Sequence, residues 1–325
     1  MQGLRSWLGK TVQAVKQGQL GPGEGCTNKL RIVMGNTSCD MDSAIGAIAL
    51  AYYYTMKSGG EAVWVPVINA PKKDFYVNLE IATHLDDCKI DKDELFYYDE
   101  FRESYPDPDM VEEVALIDHN VLDVDQADLG PKVTYVIDHH VDSGAYKGQL
   151  KDKVCRLVGS ACSLVALMIQ EDEKLFADDL AASEGDANLS TLLGAAIVLD
   201  TYYFKEELKD KKWTDEDSKA HEYLSQTADL GHDYWARLNT AKFDVQAGLQ
   251  LGLKGICIRD YKNYNLEAGI MGVAVSTGSL ETLLNHFGLE EFAKTSAELC
   301  VERNLGLFVI VSIQANEKED GEVVL

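Results

Sequence analysis

Acidic and histidine side chains recur where apolar runs of the sequence end, and these residues could do chemistry. They are Asp40 and Asp42, Asp118 with His119 and Asn120, Asp138 with His139 and His140, and Asp200. Clustered carboxylates repel one another, and one of them takes up a proton unless a cation neutralises the group. Carboxylate oxygens with a few imidazoles suit Mg²⁺ or Mn²⁺. If these residues converge, they form a divalent-cation site.

Each acidic residue also has an ordinary explanation when it is taken alone. An Asp at the end of a strand is most often a turn or helix N-cap residue. The joint pattern favours a metal site, because three of the seven histidines fall at two of these strand ends. The seven cysteines are scattered singly with no Cys-x-x-Cys pair, which argues against a disulfide framework and against structural zinc.

Short apolar runs alternate with helical periods through the first 200 residues, and these elements must position the acidic residues. The predicted strands are Leu30–Met34, Ala62–Ile68, Leu95–Tyr98, Val114–Ile117 and Val133–Ile137, and the predicted helices are Ala44–Tyr54, Phe75–Leu85, Ser160–Ile169 and Leu189–Leu199. Strands that are apolar almost throughout suit a parallel sheet that is buried on both faces. We therefore predict an α/β fold of right-handed βαβ units. Such sheets bind ligands at the carboxyl ends of their strands.

A charge-dense stretch, Lys205–Asp217, is predicted to link this region to a second, smaller α/β domain. Thr214 and Asp217 resemble a helix-capping arrangement there. Beyond it we predict helices at Ser218–Ala228, Tyr234–Phe243, Leu280–Phe287 and Phe292–Arg303, and strands near Gly255–Arg259, Gly269–Val275 and Leu307–Ile313. The predicted domains are residues 1–212 and 213–325.

Composition and charge exclude several classes of protein. Apolar residues make up 46% and charged residues 26% of the chain, as in ordinary globular proteins. The formal net charge of −24 argues against a stable nucleic-acid complex, which needs many Lys and Arg on phosphates. No apolar run reaches the roughly 18 residues of a membrane span. The expected location is the cytoplasm.

The first 18 residues carry apolar side chains at helical spacing. These are Leu4, Trp7, Leu8, Val12 and Val15. We predict a short amphipathic helix packed on the body of the protein, with a transit peptide or a membrane-surface helix as the alternative.

The acidic motifs, taken in order, resemble those of the DHH phosphoesterases. The matching segments are Gly35–Ser43, Asp118–Asn120, Asp138–His140 and Gly194–Asp200. Within that superfamily, the segments Val158–Val165, Ala241–Asp244 and Arg259–Lys262 resemble the eukaryotic exopolyphosphatase and prune group. The resemblance implies a DHH domain at 1–212, a DHH-associated substrate-binding domain at 213–325, and an active site in the cleft between them.

The resemblance also implies a role for each motif residue. The implied metal ligands are Asp40, Asp42, Asp118, His139 and Asp200, which would hold two divalent cations, Mg²⁺ or Mn²⁺ with Co²⁺ as a further candidate. Asp118, as the bridging ligand, and His140, facing the phosphate, are the catalytic candidates. Lys262 would hold the phosphate from the second domain. Asn36 and Arg259 are further substrate-binding candidates, as is Lys242, although Arg259 and Lys242 are equally well explained as surface charges. Asp138 and His119 would orient the ligands.

Two features depart from related proteins. Family II pyrophosphatases carry His where this chain has Asn36, and an amide cannot replace imidazole as a strong ligand. The chain also stops at Leu325, before the Arg-Lys element of family members, so the second domain is expected to be incomplete.

The implied function is a metal-dependent exopolyphosphatase that releases orthophosphate from the ends of inorganic polyphosphate. Its substrate is then a small anion, with short chains and pyrophosphate as further substrates. One alternative is a phosphodiesterase for cyclic nucleotides or short oligonucleotides, although the Gly-Gly-Gly-His element of the oligonucleotide-cleaving branch is absent. The other is a catalytically weak protein-interaction module.

Overall fold

Five parallel strands form the sheet of the chain's first half. They are β1 (Leu30–Met34), β2 (Trp64–Val67), β3 (Val111–Ile117), β4 (Val133–Asp138) and β5 (Asp152–Cys155). Their spatial order is β2-β1-β3-β4-β5. This computed structural model describes residues 3–20, 29–75, 77–180, 188–312, 316–317 and 323–324. After β2 the chain crosses to the other side of β1, so the switch point of the sheet lies between β1 and β3.

Helices follow most of these strands and continue through the second half of the chain. In chain order they are α1 (Leu4–Lys16), α2 (Met41–Lys57), α3 (Lys72–Phe75), α4 (Leu79–Asp87), α5 (Tyr98–Ser104), α6 (Ala161–Glu171), α7 (Glu173–Leu180), α8 (Leu189–Asp200), α9 (Asp215–Leu224), α10 (His232–Phe243), α11 (Val245–Gln250), α12 (Gly252–Arg259) and α13 (Leu280–Glu302). In the described part of the chain, none of them is long and apolar enough to cross a membrane.

Helix α2 is buried along nearly its whole length because it lies between the sheet and other helices. It contacts β1 and β2, and also α6 and α8. Every residue from Met41 to Thr55 is buried, as expected for a helix that is apolar all round. The acidic first turn of α2, with Asp40 as its N-cap, follows the carboxyl end of β1.

The N-terminal helix packs as its spacing predicted. The apolar positions from Leu4 to Val15 are buried in α1, and the Trp7 ring lies 5.0 Å from the Tyr52 ring of α2. The favoured prediction of a helix packed on the body is confirmed.

Contacts divide the chain into two compact units. The larger consists of Met1–Lys72 with Ile81–Trp235, and the smaller of Lys73–Glu80 with Ala236–Leu325. The division thus falls within α10, whereas the boundary predicted from the sequence follows residue 212. The reason is that α9 packs against α6 and α8 of the larger unit.

The smaller unit has its own sheet and its own core. Strand β7 (Gly269–Ser276) pairs antiparallel with β6 (Tyr261–Leu266) and parallel with β8 (Leu307–Ser312). Two short strands, β9 (Asn316–Glu317) and β10 (Val323–Val324), pair with each other. The core is built from Leu249, Leu253, Ile256, Cys257, Tyr261, Ala274, Leu283, Phe292 and Leu299. The predicted class, a parallel α/β sheet with a second, smaller α/β unit, is confirmed.

Two predicted strands are wrong. Gly255–Arg259 is the end of α12, and the strand comes after it, at Tyr261–Leu266. In Leu95–Tyr98 only Tyr97 forms a bridge, to Ile68, and α5 begins at Tyr98. Both runs are apolar because they are buried, and a short apolar run does not distinguish a strand from a buried helix or loop.

Other elements differ in their limits. The predicted helix Phe75–Leu85 is two helices, α3 and α4, and Tyr76 lies outside the described residues. Strand β8 ends at Ser312, and the predicted final residue Ile313 is likewise outside them. The edge strand β5 was not predicted, because its sequence, DKVC, is half charged and partly exposed.

Candidate metal centre

The candidate site lies at the switch point of the parallel sheet, where the carboxyl ends of β1, β3 and β4 meet. The side chains that converge there are Asn36, Asp40 and Asp42 after β1, Asp118 after β3, and His139 and His140 after β4. Open α/β sheets bind ligands in the crevice at this point. The strand order, which brings β1 beside β3, is what joins the first two motifs.

Asp118 is the residue on which these contacts converge. Its side chain is 1% exposed, and its Oδ2 accepts hydrogen bonds from Asn36 Nδ2 and Ser43 Oγ, both at 2.6 Å. Its Oδ1 lies 3.0 Å from His139 Nε2. The backbone φ of 62° is in the left-handed region, which few non-glycine residues adopt. Such torsions persist only where the surroundings hold them, and here three neighbours fix the carboxylate.

Asn36 uses both ends of its side-chain amide. Its Nδ2 donates to Asp118, while its Oδ1 accepts from the backbone N–H groups of Ser38 at 2.9 Å and Cys39 at 3.2 Å. A Cβ on the preceding Gly35 would lie 2.7 Å from the carbonyl oxygen of Ser43, so only glycine fits there. The amide therefore holds the turn after β1 and also presents a proton to Asp118.

His139 is oriented by a backbone carbonyl. Its Nδ1 lies 2.9 Å from the carbonyl oxygen of Val158, which can only accept, so Nδ1 carries a proton. Its Nε2 then faces Asp118 Oδ1 at 3.0 Å and Asp42 Oδ2 at 3.6 Å. Histidine ligands in metal sites commonly donate their other ring N–H to a carbonyl or carboxylate in this way.

His140 is held by the buried carboxylate of Asp138. Asp138 Oδ1 accepts from His140 Nδ1 at 2.9 Å, and Oδ2 accepts from Asn120 Nδ2. Burial alone would raise the pKa of Asp138, but the hydrogen bonds from His140 and Asn120 lower it below its usual value. The side chain of His140 is 49% exposed, so a fixed carboxylate orients an imidazole that solvent reaches. His119 instead places Nδ1 2.9 Å from the Ile117 carbonyl oxygen.

Two overlapping groups of side chains can bind metal ions, and Asp118 belongs to both. One group is Asp40, Asp42 and Asp118, and the other is Asp118, His139 and His140. In each group one potential ligand atom per residue lies within 4.8 Å of the others. Asp200, the last residue of α8, belongs to neither group among the described residues. It does act on the same region, because its charge adds to burial and Asp42 in raising the pKa of Cys162.

The protonation of this cluster fits a divalent cation. Burial and the charge of Asp40 raise the pKa of Asp42, and burial and Asp42 raise that of Asp118 well above its usual value. Burial lowers the pKa of His139, but its hydrogen bond to Asp118 and the nearby carboxylate charges raise it to about 11. The cluster thus holds protons that a bound cation would displace. Its carboxylate and imidazole donors are those that suit Mg²⁺ or Mn²⁺.

The two cysteines beside the cluster do not add thiolate ligands. Burial and Asp40 raise the pKa of the Cys39 thiol, and burial and Asp42 raise that of Cys162. A thiol with a raised pKa stays protonated near neutral pH and binds metal weakly.

The predicted phosphate-binding cations all lie late in the chain. Lys262 is exposed on β6, and Lys242 is half-buried on α10. Arg259, at the end of α12, forms an ion pair at 2.7 Å with Glu80, and their side chains are 10% and 5% exposed. Its Nη2 also lies 3.3 Å from the carbonyl oxygen of Ala241. The proposed roles of Lys262, Lys242 and Arg259 toward phosphate stay predictions.

Three contributors to the site received no role from the sequence. Ser43 and Asn120 lie within the matched motifs, and Ser43 follows Asp40 by three residues, which places both on one face of the first turn of α2. That spacing was an available signal. Val158 contributes only its backbone carbonyl, which no pattern of side chains reveals.

The fold and the site together define a class: an α/β protein with buried carboxylates and imidazoles at the switch point of a parallel sheet. Residues 31–197 match the family described as "DHH family, N-terminal domain". The chain belongs to this family, and its relatives confirm the group that the motifs predicted.

The similar proteins include eukaryotic exopolyphosphatases. The chain is 28% identical over 265 residues to the Rattus norvegicus protein named "Exopolyphosphatase PRUNE1", a match of 80% of this chain and 55% of the relative. It is 31% identical over 221 residues to the Homo sapiens protein of the same name, covering 66% and 46%. A Schizosaccharomyces pombe protein named "Putative exopolyphosphatase" is 26% identical over 303 residues, covering 90% and 75%. The chain thus spans about half the length of these mammalian relatives.

A solved structure shares the fold. Its title reads "Crystal structure of Methanococcus jannaschii putative family II inorganic pyrophosphatase". The TM-score is 0.61 and the sequence identity 22%, over 88% of this chain and 84% of that one.

Proposed function

We propose that this protein is a divalent-cation-dependent phosphoanhydride hydrolase that releases orthophosphate from the ends of inorganic polyphosphate. One observation carries the proposal: Asp118 belongs to both groups of potential ligands, each within 4.8 Å. A carboxylate shared by two groups is the arrangement expected of a two-metal hydrolase. The names of the eukaryotic relatives supply the substrate class.

The ligand assignment takes all members of the two groups except His140, which is left for the substrate. Asp40, Asp42, Asp118 and His139 would hold Mg²⁺ or Mn²⁺, and Asp200 would complete the set from the end of α8. The chemistry that such cations supply is activation of water and neutralisation of phosphoryl charge. Asn36 and Ser43 orient Asp118 by donating to its Oδ2, and the carbonyl of Val158 orients His139.

Substrate binding is assigned to the exposed groups. His140, tethered by Asp138 through Nδ1, would present its other ring edge to a phosphoryl oxygen. Lys262 would bind a second phosphoryl group. We leave Arg259 out of the phosphate site, because its guanidinium is held by Glu80 in a largely buried ion pair. With a net charge of −24, the body of the protein repels polyanions, so binding must be local.

The test is orthophosphate release from polyphosphate with Mg²⁺ or Mn²⁺. Replacing Asp118 with Asn keeps the shape but removes the shared charge, and we expect the rate to fall at least about 10³-fold, because cations in such sites supply several kcal/mol of stabilisation. Asp109→Asn is the matched control, since Asp109 is exposed and forms an ion pair with Lys132 on the surface. Equal rates for Asp118→Asn and wild type would mean that the candidate metal centre takes no part in the hydrolysis.

The same assay separates the alternatives. Hydrolysis of a cyclic nucleotide or dinucleotide, with no phosphate from polyphosphate or pyrophosphate, would favour the phosphodiesterase. Metal-independent partner binding without turnover of any of these substrates would favour an interaction module.

A further inference from the structure

Asp217 is a buried carboxylate of α9 that lies outside the two groups of potential ligands. It is 0% exposed, and in the described part of the chain it forms no salt bridge. Its charge is therefore balanced by hydrogen-bond donors. Burying a carboxylate in this way is unfavourable unless every acceptor position is used, so its partners indicate what it does.

Those partners belong to two different elements. Oδ2 accepts from the backbone N–H groups of Thr214 and Gly159, both at 2.8 Å, and from Thr214 Oγ at 3.0 Å. Oδ1 accepts from Ser163 Oγ at 2.6 Å and from the Ser160 N–H at 3.3 Å. The two bonds from Thr214 belong to the N-terminal cap of α9, and the one from its N–H completes the capping box, which requires nothing more of the carboxylate. The remaining three bonds tie α9 to the loop before α6 and to the first turn of α6.

The loop also passes close to the segment that leads into α9. A Cβ on Gly159 would lie 2.2 Å from the carbonyl oxygen of Lys212, so a side chain at this position would force the loop away. The sequence thus has a glycine, Gly159, where the loop passes the Lys212 carbonyl, and the carboxylate of Asp217 holds the loop at that point.

The held loop touches two candidate metal ligands. On one side of Gly159, the Val158 carbonyl accepts from His139 Nδ1 at 2.9 Å. On the other side, the N–H of Ala161 donates to Asp42 Oδ2 at 3.0 Å, with Ser160 Oγ at 3.5 Å from the same oxygen. Displacement of this loop would therefore misplace His139 and Asp42 together.

We propose that Asp217 is a positioning residue for the metal centre, fixing the segment 158–161 so that His139 and Asp42 keep their orientation. The inference rests on the proposed function in so far as it treats these two residues as metal ligands. Asp217 lies beyond residues 31–197, the part that matches the family model.

Mn²⁺ binding by titration calorimetry tests this role without reference to turnover. Asp217→Asn keeps the shape but sets an amide NH₂ against N–H and O–H donors, and we expect Mn²⁺ affinity to fall about 10- to 100-fold, as for other residues that orient metal ligands. Thr214→Val is the matched control. It removes the Thr214 hydroxyl, which accepts from the Glu216 N–H and donates to Asp217 Oδ2. The three bonds that tie Asp217 to the loop and to α6 are left, so Thr214→Val should lower thermal stability while Mn²⁺ binds as in wild type.

The outcomes decide between positioning and general support of the fold. Wild-type Mn²⁺ affinity in folded Asp217→Asn overturns the proposal, as does an equal loss of affinity in Thr214→Val. If Asp217→Asn does not fold, Ser163→Ala decides, because it removes one donor to Oδ1: weaker Mn²⁺ binding supports the role, and unchanged binding overturns it. A wild-type protein that binds Mn²⁺ but releases no phosphate contradicts the proposed substrate and leaves this inference standing.

Discussion

Two buried acidic sites of this molecule balance their charge in opposite ways. In the larger unit, three carboxylates, Asp40, Asp42 and Asp118, have ligand atoms within 4.8 Å of one another. Burial and mutual repulsion raise the pKa values of Asp42 and Asp118. In the smaller unit, Glu80 is equally buried, but Arg259 lies 2.7 Å away and neutralises it.

The carboxylate cluster needs a metal ion from solution to neutralise it, whereas Glu80 is already neutralised by the guanidinium of Arg259. A neutral, buried pair has no reason to attract a metal ion, whereas a cluster of carboxylates is destabilised until a cation binds. On this interpretation Arg259 belongs to the framework of the smaller unit. It ties the segment Lys73–Glu80 to α12 within that unit.

The largest expected effect comes from breaking the buried ion pair between Arg259 and Glu80. Arg259→Met leaves Glu80 buried without its partner, and losing one member of a buried pair typically lowers the free energy of unfolding by about 3–5 kcal/mol. Hydrogen exchange at the amides of β6 and β7, which belong to the same unit, measures this loss directly.

The double variant Glu80→Leu with Arg259→Met is the control. Replacing both members with apolar residues of similar size leaves no charge buried, so most of the lost stability should return. If the free energy of unfolding of Arg259→Met lies within about 1 kcal/mol of the wild-type value, the pair behaves like an exposed one. Arg259 would then be available for phosphate.

The second expected effect is the stabilisation of the protein by a bound divalent cation. If the carboxylate cluster binds Mn²⁺, saturation at about 100 times the dissociation constant should stabilise the protein by about 2.7 kcal/mol. Thermal unfolding with Mn²⁺ and with EDTA measures this increment. Asp118→Asn should lose it, whereas the Glu80→Leu, Arg259→Met double variant should keep it. An increment that survives in Asp118→Asn would locate the metal elsewhere.

How far the sequence predicts this molecule depends on which interactions are local. The strands β1, β3 and β4 and the helices α2 and α8 follow from apolar runs with clear limits. The strand predicted at Gly255–Arg259 was wrong because Ile256 and Cys257 are buried in a helix, and a run of three apolar residues looks alike in either element. The division of the chain into two units after Trp235 depends on the packing of α9, which no local pattern of residues encodes.

The site shows the same limit. Asp118, His139 and His140 were identified because each follows an apolar strand, and the structure brings them together. Their orientation depends on Ser43 and on the Val158 carbonyl, which are 75 and 19 residues away in sequence from the groups they contact. Long-range hydrogen bonds of this kind become visible only when the strand order is known.

The smallest expected effect concerns one hydroxyl group beside Asp118. Ser43→Ala removes one of the two donors to Asp118 Oδ2 and also the acceptor of the Asn36 backbone N–H, while the side-chain amide of Asn36 still holds the carboxylate. A bond to a charged group contributes about 1.5–3 kcal/mol, but part of it opposes cation binding by stabilising the metal-free carboxylate. We therefore expect Mn²⁺ affinity to fall only about tenfold, or about 1.4 kcal/mol.

Ser58→Ala, at the other end of α2, is the control. It removes a similar hydroxyl bond, to the carbonyl of Thr55, and should leave affinity unchanged. If Ser43→Ala binds Mn²⁺ like wild type, the Asn36 amide is sufficient to hold Oδ2 of Asp118.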